Sequence, residues 1–114
     1  MITLYGIANC DTVKKARRWL DANGLEYTFH DYKKSGADPE SLTAWIDSAG
    51  VDAVLNRRGT TWRKLSDAEK AEVDAGNAVR LLIANPSMIK RPIVEHDTGL
   101  LVGFDESEWE AALQ

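Results

Sequence analysis

Apolar residues at Val13, Ala16, Trp19 and Leu20 recur three and four positions apart, with Lys14, Lys15, Arg17 and Arg18 around them. That spacing gathers the apolar side chains on one face and predicts a helix from Asp11. Asn23-Gly24 then supplies a left-handed cap. The flanking segments follow a different pattern. Residues 2–5 are a short β-prone run closed by Gly6, and residues 25–30, rich in aromatics and threonine, predict a second strand.

Helical spacing dominates the middle of the chain. Asp38-Pro39-Glu40 reads as a start, with Asp38 as N-cap and proline at the first helical position. Leu42, Trp45, Ile46 and Ala49 supply the apolar face, and Gly50 stops it. Residues 51–55 predict a short helical turn leading into the polar and basic stretch NRRGTTWRKL, expected as a loop. Ser66 and Glu69 form a capping box for a helix ending near Gly76. Residues 78–84 are a further apolar helix halted by Asn85-Pro86. Residues 92–96 and 100–103, joined across Asp97-Thr98-Gly99, predict a β-hairpin, and Asp105 with Glu108 starts a last helix to Leu113. The order is β-α-β, a helical block, then β-β-α. It predicts one α/β domain over residues 1–114, a four-stranded mixed sheet with helices and a helical insertion at about 38–86. The parallel β-α-β crossover is expected to be right-handed.

Composition narrows the function classes. A net charge of −4 argues against a general nucleic-acid binder. No apolar run approaches the length of a membrane span, and no secretory leader pattern is seen, so a cytoplasmic protein without a membrane partner is expected. The sequence holds one cysteine, which excludes an internal disulfide and multi-cysteine metal clusters. His30 and His96 fit no zinc spacing, and no bound cofactor or metal is expected. Basic residues still cluster at 14–18, 57–63 and 90–91, so a site for an anion could exist within an acidic chain.

The chemistry centres on Cys10, at the junction of the first strand and first helix. Free cysteines are more often small buried hydrophobes than nucleophiles. Here the first amides of the helix point at the thiol, and with the helix dipole they favour a thiolate. Lys14 adds positive charge and Asp11 opposes it, leaving the sign of the shift open. Thr3, Asn9 and Thr12 lie close in sequence, with Thr12 favoured because its amide and hydroxyl fall in the first turn. In the expected sheet the third strand begins beside the end of the first, which brings Arg91 toward Cys10. A guanidinium there would bind a carboxylate or oxyanion in a two-pronged way, the alternative being a solvated charge. Pro92 is expected trans by default. Arg57, Arg58 and Arg63 could hold an anion with the Gly-Thr-Thr backbone, or form a solvated basic loop, and Trp62 is read as packing or a lid.

Taken together, LYGIANCDTVKKARRWL, YTFHDYKKSG, NRRGTTWRKL and IKRPIVE resemble the ArsC/Spx family, most closely its YffB-type members, over essentially the whole chain. The resemblance implies a thioredoxin-like fold with a helical insertion. It implies that Cys10 is the active-site thiol, that Arg91 binds oxyanion or glutathione, and that Pro92 is a cis-proline beside the cysteine. A central-loop arginine is implied as well, with Arg58 favoured over Arg57. Two departures stand out. Spx-type switches carry Cys-x-x-Cys, whereas Cys10-Asp11-Thr12-Val13 has no second thiol. Glutaredoxin-linked arsenate reductases have Gly-Thr-Ser after the cysteine, whereas Asp11 here would repel an arsenate anion. The expected function is a monomeric, monothiol reductase of a disulfide, mixed disulfide or oxyanion substrate that uses glutathione or another small thiol as co-substrate, with glutaredoxin as a further partner. An Spx-like regulator binding RNA polymerase and an arsenate reductase proper are the alternatives.

Overall fold

Leu4 and Gly6 of strand β1 (Thr3–Gly6) are buried while Thr3 and Tyr5 are half-buried, the period-two pattern of a strand with one face on a core. The computed structural model describes residues 1–74 and 76–114, Asp74 by its backbone alone. These fall into two compact units, Met1–Ser35 with Arg91–Gln114, and Gly36–Lys90.

The first unit is built on a four-stranded sheet in the order β2-β1-β3-β4, with β2 (Thr28–Asp31), β3 (Ile93–His96) and β4 (Gly99–Val102). β1 pairs parallel with β2, which requires the crossover helix α1 (Asp11–Ala22), and antiparallel with β3. The short helix α2 (Tyr32–Ser35) follows β2 directly. Val13, Ala16 and Leu20 of α1 pack with Leu4, Val94 and Trp109, all without exposed surface. Trp109 belongs to the last helix, Glu106–Leu113, whose N-cap Asp105 accepts from the Glu108 amide. Its ring stands edge-on to Phe104 at 4.8 Å and to Trp19 at 5.8 Å, and its indole N–H donates to the Gly103 carbonyl. This is the expected four-stranded mixed α/β sheet of thioredoxin-like topology.

The second unit is mainly helical: α3 (Pro39–Ala49), α4 (Val51–Val54), α5 (Thr60–Arg63), α6 (Asp67–Asp74), α7 (Ala78–Ala84) and a 3-10 turn at Pro86–Met88. The last helix of the chain is therefore α8. Asp38 caps α3 by accepting from the Ser41 amide at 3.1 Å, and the Ser66–Glu69 capping box forms in both directions. Leu42, Trp45, Val54, Leu81, Leu82 and Met88 are buried. A bridge between Leu55 and Ile89 and the bonds Asn56 N–H to Met88 O and Lys90 N–H to Val54 O close the unit.

Three expectations need correction. β2 runs from Thr28 to Asp31 rather than over 25–30, because the Leu25 amide is spent on the Leu20 carbonyl at the end of α1. The basic stretch is not all loop: residues 60–63 form a helical turn whose Lys64 amide donates to Thr60, among threonines that carry little helical signal. The hairpin turn is Asp97-Thr98, with Gly99 already paired to His96. The expected end of the fourth helix near Gly76 falls beside residue 75, which lies outside the described residues.

Candidate active site

The end of β1 aims the chain at Cys10. Gly6 is required there by space, since a Cβ would lie 2.7 Å from Val13 Cγ2 on α1. After it the chain turns tightly, the Cys10 amide donating to the Ile7 carbonyl at 3.1 Å. Cys10 is the N-cap of α1, with extended backbone, and its carbonyl accepts the first helical bond from Lys14 at 2.9 Å. The side chain is half-buried against the core cluster.

As a thiol Cys10 makes no capping hydrogen bond. As an anion it is well placed. Burial pushes its pKa up, but the Val13 and Thr12 amides, then the hydrogen bond and charge of Arg91, outweigh burial and leave it below the ordinary value. The sign left open by the sequence is thus downward. Asp11 and Lys14, both exposed, are not among the groups that set it.

Register brings Arg91 in. Tyr5 pairs with Ile93, so the two residues before β3 arrive beside the turn that follows β1. Pro92 is buried, the Arg91-Pro92 bond is cis, and the Pro92 carbonyl accepts from the Gly103 amide at 2.8 Å. The default trans expectation for Pro92 is corrected, as the resemblance implied. Arg91 is half-buried. Thr12 contributes its amide, while Asn9 is exposed in the turn that leads to Cys10.

Two further residues belong to this site, and sequence reasoning missed both. Tyr32 is buried at 1% exposure and electrostatically coupled to Arg91 and Cys10. Burial raises its pKa, Arg91 opposes this, and the phenol stays protonated. Asp31 accepts from the Ala8 amide at 3.3 Å and from the Lys33 amide at 2.8 Å. The only sequence signal was an aspartate ending a strand just before a short helix.

The remaining candidates, Arg57, Arg58 and Arg63, lie in the second unit, and all three are exposed. Arg57 is engaged, paired with Asp52 at 2.8 Å and lying 5.4 Å over the Trp62 ring, which Lys70 also approaches. Arg58 has its amide held by the Asn56 side chain at 3.0 Å, and its guanidinium makes no ion pair among the described residues. Among the described residues no group of histidines, cysteines and carboxylates is arranged to hold a metal, and no helix is long and apolar enough to cross a membrane.

The ArsC family model matches residues 5–112. A solved structure named YffB protein is 51% identical, covers the whole of both chains and superposes with a TM-score of 0.95. An arsenate reductase (ArsC) related protein from Brucella melitensis is 50% identical over 99% of this chain and 94% of its own, with a TM-score of 0.75. An uncharacterized protein of Haemophilus influenzae is 46% identical over 98% of each chain. A global transcriptional regulator Spx of Streptococcus mutans is 27% identical over 99% of this chain and 83% of its own.

Proposed function

Because the chain belongs to the ArsC family, we propose that it works as a monothiol oxidoreductase, with the Cys10 thiolate as nucleophile and glutathione as the external thiol. The observation that carries this reading is a half-buried cysteine at a helix N-terminus, faced by two amides and Arg91, in a sequence with no second cysteine. In the first step the thiolate attacks the glutathione sulfur of a mixed disulfide. A Cys10–glutathione disulfide forms as the original disulfide bond breaks, and the substrate leaves as its thiolate. In the second step a glutathione thiolate attacks the glutathione sulfur of that adduct. Oxidised glutathione forms and Cys10 leaves as thiolate, stabilised by the Thr12 and Val13 amides. The substrate is released as its thiol, and one glutathione thiol is oxidised per turnover, its partner in oxidised glutathione coming from the mixed disulfide itself. Arg91 has two uses here: it favours the thiolate before attack, and it can hold a glutathione carboxylate by charge-assisted hydrogen bonds. Such chemistry needs a reducing, glutathione-containing compartment, so we place the protein in the cytoplasm.

Turnover of a glutathionylated peptide with glutathione, glutathione reductase and NADPH tests the reading. Wild type should oxidise NADPH continuously. Cys10→Ser should not, with an unchanged far-UV spectrum. Undiminished turnover in Cys10→Ser would overturn the mechanism. A second reading, a regulator that binds RNA polymerase, is favoured by the near full-length similarity to the protein named Spx. Stoichiometric capture of polymerase, together with no activity on disulfides, would replace the first reading by the second.

A further inference from the structure

We propose that Asp31 is a positioning residue for Cys10, its carboxylate bracketing the turn that presents the thiol to the turn that presents Tyr32. The inference rests on Cys10 being the reacting group. Asp31 closes the β1–β2 ladder opposite Gly6, where both strands end and both chains turn. Its two oxygens divide between those turns. Oδ2 accepts from the amide of Ala8, two residues before Cys10, and Oδ1 accepts from the amide of Lys33, next to Tyr32. The Ala8 bond lies at the surface. Water could replace it there at little cost in stability. Its consequence is therefore geometric: it limits where residues 7–10 can move while Arg91 acts on the sulfur from the segment just ahead of β3.

Position and charge make opposite predictions, which renders the proposal testable. Arg91 ahead of β3 and Tyr32 on α2 act electrostatically with the thiol, Asp11 and Lys14 on α1 are exposed, and Lys34 on α2 acts on Asp31 itself. If Asp31 acted only through its negative charge, removing it would make Cys10 more acidic. If it holds the turn, removing it loosens Cys10 from Arg91 and makes the thiol less acidic, while the α1 amides keep their share.

The experiment is the pH dependence of iodoacetamide alkylation of Cys10 in the full chain, for wild type, Asp31→Ala and Asp31→Asn. The alanine removes both acceptors. Asparagine keeps one carbonyl and loses the charge, and it carries the test if the alanine variant does not fold. The proposal expects the midpoint to move to higher pH, further in alanine than in asparagine. Alkylation at pH 7 should slow by about threefold or more in alanine, since below the midpoint a rise of about half a pH unit cuts the thiolate fraction roughly threefold. A midpoint that moves down or stays put in the folded variants overturns it. Failure of the monothiol reading has a different signature, a wild-type midpoint at or above the ordinary value whatever Asp31 does.

Discussion

Replacing Gly6 by alanine sets a methyl against α1 at the point that aims Cys10. The new Cβ would lie 2.7 Å from Val13 Cγ2 and 3.3 Å from Val13 Cγ1. Carbon pairs settle near ~3.5–4.0 Å, so strand and helix must part locally by about 0.8 Å or more. Val13 cannot turn aside. It has no exposed surface, and a β-branched side chain in a helix is held to essentially one rotamer. Gly6 does not adopt positive φ, so space alone is at issue. Overpacking of this kind costs about 1–3 kcal/mol. For a chain of this size that corresponds to a fall in Tm of roughly 4–15 °C. Val13→Ala alone removes two buried carbons and should cost about 2 kcal/mol once the cavity is included. In the double variant the methyl introduced at position 6 enters the space Val13 vacates, so the total falls short of the sum by about 1 kcal/mol or more. Urea and thermal unfolding of the four proteins by circular dichroism measure this. The Val13 amide also faces the sulfur, so Gly6→Ala should slow Cys10 alkylation at pH 7 as well. A Gly6→Ala variant within about 0.5 kcal/mol of wild type, or strictly additive costs, would refute the close approach.

Trp109→Ala empties a site without exposed surface, strands the Gly103 carbonyl and removes two edge-on ring contacts. It should cost about 3–5 kcal/mol in denaturant unfolding; a cost under about 1 kcal/mol would mean α8 is not part of this core. Arg91→Gln removes a charge and hydrogen bond that favour the thiolate, so the alkylation midpoint should move to higher pH and the rate at pH 7 should fall by roughly threefold or more. An unchanged profile in that variant would disconnect Arg91 from the thiol.

Much of the fold was legible because it rests on local patterns. The apolar stripe of Val13, Ala16 and Leu20, the Asp38-Pro39 start, the Ser66–Glu69 box and the Asp105 cap are each written within a few residues, and each forms. The Cys10 site was half legible. Its helix N-terminus is local, and Arg91 followed once the third strand was set beside the first. Tyr32 and Asp31 enter only through the Gly6–Asp31 register, which no single segment encodes. The sign of the Cys10 shift stayed open because the neighbours in sequence, Lys14 and Asp11, oppose each other, whereas what sets it is burial against the Val13 and Thr12 amides and the distant Arg91. Arg57 and Arg58 are adjacent in sequence, where only the resemblance favoured Arg58; in the structure the Asp52 carboxylate pairs with Arg57.

Everything proposed for function passes through the state of one sulfur. The most direct measurement is the rate of Cys10 alkylation in wild type across pH 4 to 10, with Cys10→Ser as the blank. A single sigmoid with its midpoint clearly below the ordinary thiol value of about 8.5 is the expected result, since two amides and Arg91 outweigh the burial of the side chain. A midpoint at or above that value would contradict the account and return Cys10 to the role of a small core hydrophobe.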